Sequence, residues 1–282
     1  MKRLKVLVTG CGGMLGTDLM AALARDFEPV GLDLPELDIT NKDRIIKTIT
    51  GLKPGLVIHT AAFTDVDGCE KEPEKAYQVN ALGTANVVIA CQKLKSPLVY
   101  ISTDYVFDGK KGKPYLESDP PNPIQVYGRS KLDGEFYTRN LLDRFFIIRT
   151  AGLYGKYGKS FPAAILNQIN AGKSLRVVQD QIVSPTFTQD LAQGIIKVIR
   201  NNGYGVYHIT NEGALSWYGF ACAIVKAVKG KAKVRAVTSQ EMKRTASRPA
   251  YSVLENSALK SVVGYQMPEW SDALKRYLKA LL

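Results

Sequence analysis

At 282 residues, 45% hydrophobic and 23% charged, the chain has the composition of a folded globular protein and the length of one large domain or two small ones, which excludes disordered, collagen-like and low-complexity classes. No apolar run reaches the about 18 residues of a membrane span. The opening Met1-Lys2-Arg3-Leu4-Lys5 leads straight into a strand pattern with no small-residue cleavage site, so a cytoplasmic protein with no membrane association is expected. The formal charge is +12, and residues 226–282 supply +8 of it through twelve Lys/Arg against four Asp/Glu, a balance that suits a phosphate-bearing partner.

Along the first half, short β-rich runs alternate with helical patterns. Strands are predicted at 4–9, 29–33, 56–59, 98–102 and 145–149, and helices at 14–25, 42–50, 73–94 and 127–142. Near-continuous apolar strands separated by helices predict a parallel sheet buried on both faces, an α/β doubly wound core of Rossmann type. In the second half a helix at 161–171, a strand at 175–178, a helix at 187–200 and a strand at 206–210 are expected to extend the same sheet. A helix at 217–228, a basic strand at 234–237 and a helix at 269–281 follow. The expected organisation is a dinucleotide-binding core of 1–150 and 186–210, with a smaller C-terminal substrate lobe of 151–185 and 211–282.

Cys11, Cys69, Cys91 and Cys222 form no C-x-x-C pair, and the two histidines fit neither H-E-x-x-H nor a zinc set, while G-x-S-x-G is absent. Asp65-Val66-Asp67-Gly68 lacks the further ligands of a calcium loop, so no metal is expected. His59 lies in a strand pattern and reads as a hydrogen-bonded core histidine.

The first strand runs into Thr9-Gly10-Cys11-Gly12-Gly13-Met14-Leu15-Gly16, which satisfies G-x-x-G-x-x-G. Between a strand and a helix this pattern predicts a tight turn whose amides, from Gly10, Gly13, Met14, Leu15 and Gly16, face a dinucleotide pyrophosphate. Asp33 closes the second strand, where a carboxylate accepts hydrogen bonds from the adenosine ribose and repels a 2′-phosphate, favouring NADH over NADPH. Asp38 and Ile39 are expected beside the adenine, with capping of the helix near Asn41 as the other use of Asp38. Ala61, Ala62, Phe63 and Thr64, at the end of the third strand, let a cofactor lie close to the backbone.

Tyr127-Gly128-Arg129-Ser130-Lys131 places a phenol and an ammonium four residues apart on one helical face. The charge of Lys131 is expected to lower the Tyr127 pKa, making it a proton donor or acceptor near neutral pH. Ser102-Thr103 supplies a hydroxyl at the end of the fourth strand. With these three pieces together the chain resembles the extended short-chain dehydrogenase/reductases, and within them the dTDP-4-dehydrorhamnose reductase family. The resemblance spans nearly the whole chain and is carried by Gly10 to Gly16, Ala61-Ala62-Phe63-Thr64-Asp65-Val66-Asp67, Ser102-Thr103-Asp104-Tyr105-Val106-Phe107-Asp108-Gly109 and Pro123-Ile124-Gln125-Val126-Tyr127-Gly128-Arg129-Ser130-Lys131. Arg149-Thr150, Tyr154-Gly155, Asp180-Gln181, Ser184-Pro185-Thr186 and Arg248-Pro249 with Ser252 add later matches.

The resemblance implies an NAD(P)H-dependent reductase of the C4 ketone of a nucleotide-linked 6-deoxy-4-keto-hexose. Tyr127 would protonate the ketone oxygen, Thr103 would hydrogen-bond it, Lys131 would tune Tyr127 and hold the nicotinamide ribose, and Thr103, Asp104 and Tyr105 would seat the sugar. Arg248 would serve the substrate diphosphate. Sugar-nucleotide dehydratases carry Asp-Glu after the threonine, whereas Thr103-Asp104 is followed here by Tyr105, so reduction is expected rather than dehydration; a 4-epimerase needs no such pair. The family usually reads Arg-Thr-Ser-Trp-Val-Tyr-Gly, with the tryptophan on the sugar. Arg149-Thr150-Ala151-Gly152-Leu153-Tyr154-Gly155 departs from it, which leaves Gly152 at a substrate position and Tyr105, Tyr154 or Phe187 to compensate. Some members hold a metal at a dimer contact, where Asp18 is a candidate ligand whose partners are not evident; a homodimer is left open. The regulatory subunit of methionine adenosyltransferase also resembles this family, so a non-catalytic dinucleotide-binding subunit is the alternative, against which Thr103, Tyr127 and Lys131 weigh. A nucleic-acid partner is not expected, because no helix-turn-helix, RRM or zinc signature accompanies the basic charge.

Overall fold

The computed structural model describes residues 3–281, so Met1 and Lys2 of the basic opening run, and Leu282, lie outside the described residues. In chain order the first half contains β1 (Lys5–Thr9), α1 (Met14–Leu23), β2 (Glu28–Leu32), α2 (Lys42–Leu52), β3 (Leu56–His59), α3 (Val66–Lys71), α4 (Pro73–Tyr77), α5 (Thr84–Leu94), β4 (Leu98–Thr103), α6 (Val126–Leu141) and β5 (Phe145–Thr150). The second half contains β6 (Leu153–Tyr154), α7 (Phe161–Asn170), β7 (Leu175–Val178), β8 (Ile182–Val183), β9 (Thr186–Phe187), α8 (Thr188–Asn201) and β10 (Gly205–His208). It closes with β11 (Leu215–Ser216), α9 (Trp217–Ala227), β12 (Val234–Val237), α10 (Ser239–Met242), α11 (Ser257–Val263) and α12 (Trp270–Leu281).

Six strands form a parallel sheet in the order β2-β1-β3-β4-β5-β10. Successive residues of each inner strand enter opposite apolar layers. Val6, Val8, Ile58 and Val99 pack with Leu19 and Leu23 of α1 and Leu191 and Ile195 of α8. Leu7, Val57 and Leu98 pack with Ile45 and Ile49 of α2 and Val87, Val88 and Cys91 of α5. Both faces are therefore dry, which is why the strands read as continuous apolar runs. The strand order reverses between β1 and β3, and the crevice beyond their carboxyl ends is where a doubly wound sheet can receive a ligand.

Two expectations are corrected. The strand at 175–178 does not extend the central sheet: β10 occupies the place beside β5, and β7 pairs in parallel with β12. Leu175 and Val177 instead join a separate apolar cluster with Ile165, Phe220, Ile224 and Tyr277. The helix expected over 73–94 is interrupted by a π-helical turn, Gln78–Gly83, between α4 and α5. Such turns often mark functional sites, and this one carries Asn80, whose side-chain amide donates to the Phe63 carbonyl at 3.0 Å and whose amide oxygen accepts from the Phe63 N–H at 2.8 Å. The wider turn thus aims a buried amide at the loop after β3.

The turn from β1 to α1 is packed backbone against backbone. A β-carbon at Gly16 would lie 2.2 Å from the Gly10 carbonyl oxygen and 2.7 Å from Cys11 Cα, both backbone atoms that cannot swing away. Gly16→Ala is therefore expected to cost at least about 1–3 kcal/mol of stability, as overpacking does. Thermal unfolding of the purified variant checks this, and an unchanged melting temperature would contradict the close helix-to-turn packing.

Candidate active site

A cavity of about 530 Å³ opens over the carboxyl ends of β1, β3 and β4, and extends to the loop after β5. Its floor is built by the glycine-rich turn. Gly10 adopts φ +72, and a β-carbon there would stand 2.7 Å from the Ala61 nitrogen, so the turn and the loop after β3 touch backbone to backbone. Gly13 is the N-cap of α1, and no side chain caps the helix or places an acid in its first turn. The free amides of Met14, Leu15 and Gly16 therefore face the cavity with the positive end of the helix dipole behind them. Asp33 lies at its edge, where its carboxylate accepts the Gly12 and Leu34 N–H groups, each at 2.9 Å. Asp38 also lines the cavity and accepts from the Thr40 N–H at 2.9 Å; the helix-capping role falls to Asn41, which accepts from the Arg44 N–H at 3.1 Å. Ile39, Ala61, Ala62 and Thr64 complete this side. Phe63 does not line the cavity: its backbone is clasped by Asn80, and its ring lies 4.7 Å from the Lys75 ammonium.

At the far end Thr103, Asp104, Tyr105, Tyr127 and Lys131 converge on the same cavity. The Thr103 hydroxyl donates to Asp104 Oδ1 and accepts the Tyr105 N–H, both at 3.1 Å, and it lies beside the Tyr127 phenol. The expected lowering of the Tyr127 pKa is not found. Burial pushes the phenol well above its ordinary value, Asp104 adds to the rise and Thr103 opposes it, so Tyr127 holds its proton. Lys131 does not offset this, because burial lowers its own pKa to about 7 and its ammonium rests 4.2 Å over the Tyr100 ring. Burial raises Asp104 to about 7, against hydrogen bonding from Ser252 and Thr103. Asp104 Oδ2 and the Thr150 hydroxyl are buried with no hydrogen-bond partner in the protein, and both residues line the cavity.

Beneath these groups lies a buried ion pair. Arg149 of β5 donates through Nε to Glu135 Oε1 at 2.8 Å and through Nη2 to Oε2 at 2.7 Å, while Ser102 donates to Oε1 at 2.6 Å. Both charged side chains are at most 1% exposed. Burial by itself would raise the Glu135 pKa, but the hydrogen bonds and charge of Arg149 outweigh it and hold the carboxyl below its ordinary value. His59 is a core histidine as expected, with Nδ1 2.7 Å from the Thr9 hydroxyl and Nε2 3.1 Å from that of Thr84; burial lowers its pKa to about 3.

The C-terminal side differs more from expectation. Arg248 does not line the main cavity. Its guanidinium forms a fork onto Asp67, with contacts of 2.8 and 3.2 Å, and it borders a second cavity of about 300 Å³ together with Arg176 and Arg244. Gly152 lines the main cavity, but Tyr154 and Phe187 are fully buried in the C-terminal apolar cluster and reach neither cavity. Of the three aromatics expected to compensate, only Tyr105 faces the site, joined there by Trp217. Asp18 lies buried and accepts from the Thr188 hydroxyl. Among the described residues no group of three or more His, Cys, Asp or Glu side chains is arranged to hold a metal ion.

The family model described as RmlD substrate binding domain matches residues 4–282. The chain belongs to the dTDP-4-dehydrorhamnose reductase family. It is 40% identical over 276 residues to the spore coat polysaccharide biosynthesis protein SpsK of Bacillus subtilis (strain 168), covering 98% of this chain and 97% of that protein. It is 38% identical over 285 residues to a dTDP-4-dehydrorhamnose reductase of Aggregatibacter actinomycetemcomitans, covering 96% of this chain and 97% of that protein. The solved structure of dTDP-4-dehydrorhamnose reductase from Bacillus anthracis str. Ames, in complex with NADP, superposes with a TM-score of 0.97 at 39% identity, over 99% of this chain and 100% of that one.

In this family member, sequence reasoning missed Asn80, Thr150 and Trp217. Asn80 carried one usable signal, a short amide side chain inside a helical pattern, which costs helix stability unless the side chain is employed. Thr150 entered only within the Arg149-Thr150 match and Trp217 only as the start of a helix, because their place in the cavity depends on how β5 and α9 meet. The ion pair makes a direct prediction. Glu135→Gln leaves Arg149 as an unpaired buried charge and is expected to cost about 3–5 kcal/mol. Exchanging both residues for apolar ones of similar volume should recover most of that loss in a urea-unfolding series, and equal losses in the single and double variants would contradict the assignment.

Proposed function

We propose that this protein reduces the C4 ketone of a nucleotide-linked 6-deoxy-4-keto-hexose, dTDP-4-dehydro-L-rhamnose foremost, using a nicotinamide dinucleotide. The observation that carries this reading is that Thr103, Tyr127 and Lys131 meet at one end of a single cavity whose other end is the side-chain-free turn of Gly10, Gly13 and Gly16. The turn fits a dinucleotide: its uncapped helix amides suit a pyrophosphate, and Gly10 lets the turn lie directly against the Ala61 backbone, where a side chain would collide. When bound, a reduced nicotinamide supplies the hydride that adds to C4. The chain's own residues do the rest. Tyr127, kept protonated by burial, gives its proton to the ketone oxygen, so that ketone, hydride and proton together give the alcohol. Thr103 hydrogen-bonds that oxygen and Lys131 holds the nicotinamide ribose. Asp104 and Thr150 offer their unpartnered oxygens to the sugar. Tyr105 stands where a dehydratase would need a glutamate, which favours reduction over loss of water.

In this reading residues 1–150 and 186–210 carry the cofactor, while 151–185 and 211–282 receive the sugar nucleotide. Arg176, Arg244 and Arg248 around the second cavity supply positive charge for its diphosphate. Asp33 supports a preference for NADH, since its carboxylate would face a 2′-phosphate with like charge. The NADP bound by the Bacillus anthracis relative sets the competing expectation.

Nicotinamide oxidation followed with freshly made dTDP-4-dehydro-L-rhamnose tests the activity. Tight cofactor binding without turnover would instead support a non-catalytic subunit. Tyr127→Phe is expected to lower kcat by about 10²–10⁴-fold, the range of acid–base catalysis, with the cofactor Kd nearly unchanged; loss of cofactor binding would overturn its role. Asp33→Ala is expected to raise the NADPH to NADH ratio of kcat/KM, and an unchanged ratio would remove Asp33 from cofactor choice.

A further inference from the structure

A side chain at position 152 would be strained by the backbone and tightly confined. Gly152 adopts φ +54, and a β-carbon there would meet Pro185 Cα at 3.1 Å, Val183 Cγ2 at 3.3 Å and Trp217 Cη2 at 3.4 Å. One of these three neighbours is the outer edge of an indole that arrives from α9, 65 residues further along the chain. Trp217 is set firmly. Ser216 caps α9 by accepting the Gly219 N–H at 3.0 Å, the Trp217 N–H donates to the Gln181 carbonyl at 3.3 Å, and the indole packs against Phe161 at 4.7 Å between ring centroids. It is nonetheless only partly buried.

Trp217, Tyr105 and Gln181 are the three residues that border both cavities. A substrate whose ketone reaches Tyr127 and Thr103 while its diphosphate lies among the arginines of the second cavity must pass its hexose across this partition. Tyr105 is already engaged: its ring stands edge-on to Tyr127 at 6.0 Å, and its hydroxyl interacts with Arg248. The indole over the bare backbone of Gly152 is the remaining aromatic surface at the crossing, and the C–H face of a hexose packs well on such a ring.

We propose that Trp217 is the specificity-determining wall of the hexose subsite, packing on the sugar ring beside the bare backbone of Gly152. This rests on the reading of the substrate as a sugar nucleotide. Trp217 and Trp270 are the two tryptophans of the chain, so a Trp270→Phe variant reports on Trp217 alone. Its fluorescence is expected to change on titration with dTDP-L-rhamnose well beyond the change given by dTDP. Trp217→Ala is expected to raise KM for the sugar nucleotide about tenfold, equivalent to about 1.4 kcal/mol. Its Kd for dTDP should stay close to that of the parent, and Trp217→Phe should recover part of the loss. An equal fluorescence response to dTDP and dTDP-L-rhamnose would overturn the proposal, as would an unchanged KM in a Trp217→Ala protein whose melting curve shows it folded. Calorimetry on the parent separates the two levels. If dTDP-L-rhamnose binds while Trp217 stays silent, the hexose wall alone is overturned; if it does not bind, the substrate reading falls as well.

Discussion

The buried pair of Glu135 and Arg149 holds the reacting end of the site together. Its two parallel hydrogen bonds join α6 to β5, and Ser102 adds a third from β4 to the same carboxylate. Bidentate geometry of this kind fixes orientation as well as distance. Glu135 lies one helical turn beyond Lys131 and two beyond Tyr127, so locking it against the sheet sets the rotation and height of the stripe that carries the phenol and the ammonium. Ser102 directly precedes Thr103, so the same contact fixes the strand end that brings the hydroxyl to Tyr127. Removing two charged groups from water is costly. The arrangement is stable because nearly all of their polar atoms are matched, Arg149 Nη1 being the exception.

Burial also governs the chemistry of the groups above this pair. Burial works against the charged form of each, raising Tyr127 and Asp104 and lowering Lys131. Low polarity is the common cause at this end of the cavity. At the opposite end the demands are reversed. The glycine-rich turn presents backbone amides that no side chain caps, and beyond Tyr105 and Trp217 the second cavity is rimmed by arginines. The net charge of +12, ambiguous as composition, becomes partly explicable once Arg176, Arg244 and Arg248 are seen around one hollow.

Much of the central sheet could be read from pattern alone because each strand is apolar on both faces and each helix between strands carries a sharp boundary. β3, for example, occupies 56–59 as expected, and α1 begins at Met14 as expected, where Gly13 ends the turn. The π turn at 78–83 was not legible, since it shares its local hydrophobic spacing with an ordinary helix and differs only in where Asn80 finds partners. β7 was misplaced for a related reason. Four apolar residues specify a strand but not its neighbour, and the choice between β5 and β12 is made by which edge another strand has already taken.

The same division runs through the site. Local sequence determined the turn of Gly10, Gly13 and Gly16, the acid at Asp33, and the Tyr127 and Lys131 pair, because each depends on spacing within a single turn or helix. Tertiary structure decided that Arg248 turns to Asp67, that Phe63 is drawn away by Asn80, that Lys131 rests on Tyr100, and that burial holds the Tyr127 pKa up. It also brought Trp217 over Gly152 from a distant helix. The physical reason is range: backbone geometry and helical period act over a few residues and are written in order along the chain, whereas burial, charge pairing and the filling of a vacant volume depend on whichever side chains the packed fold brings within a few ångströms.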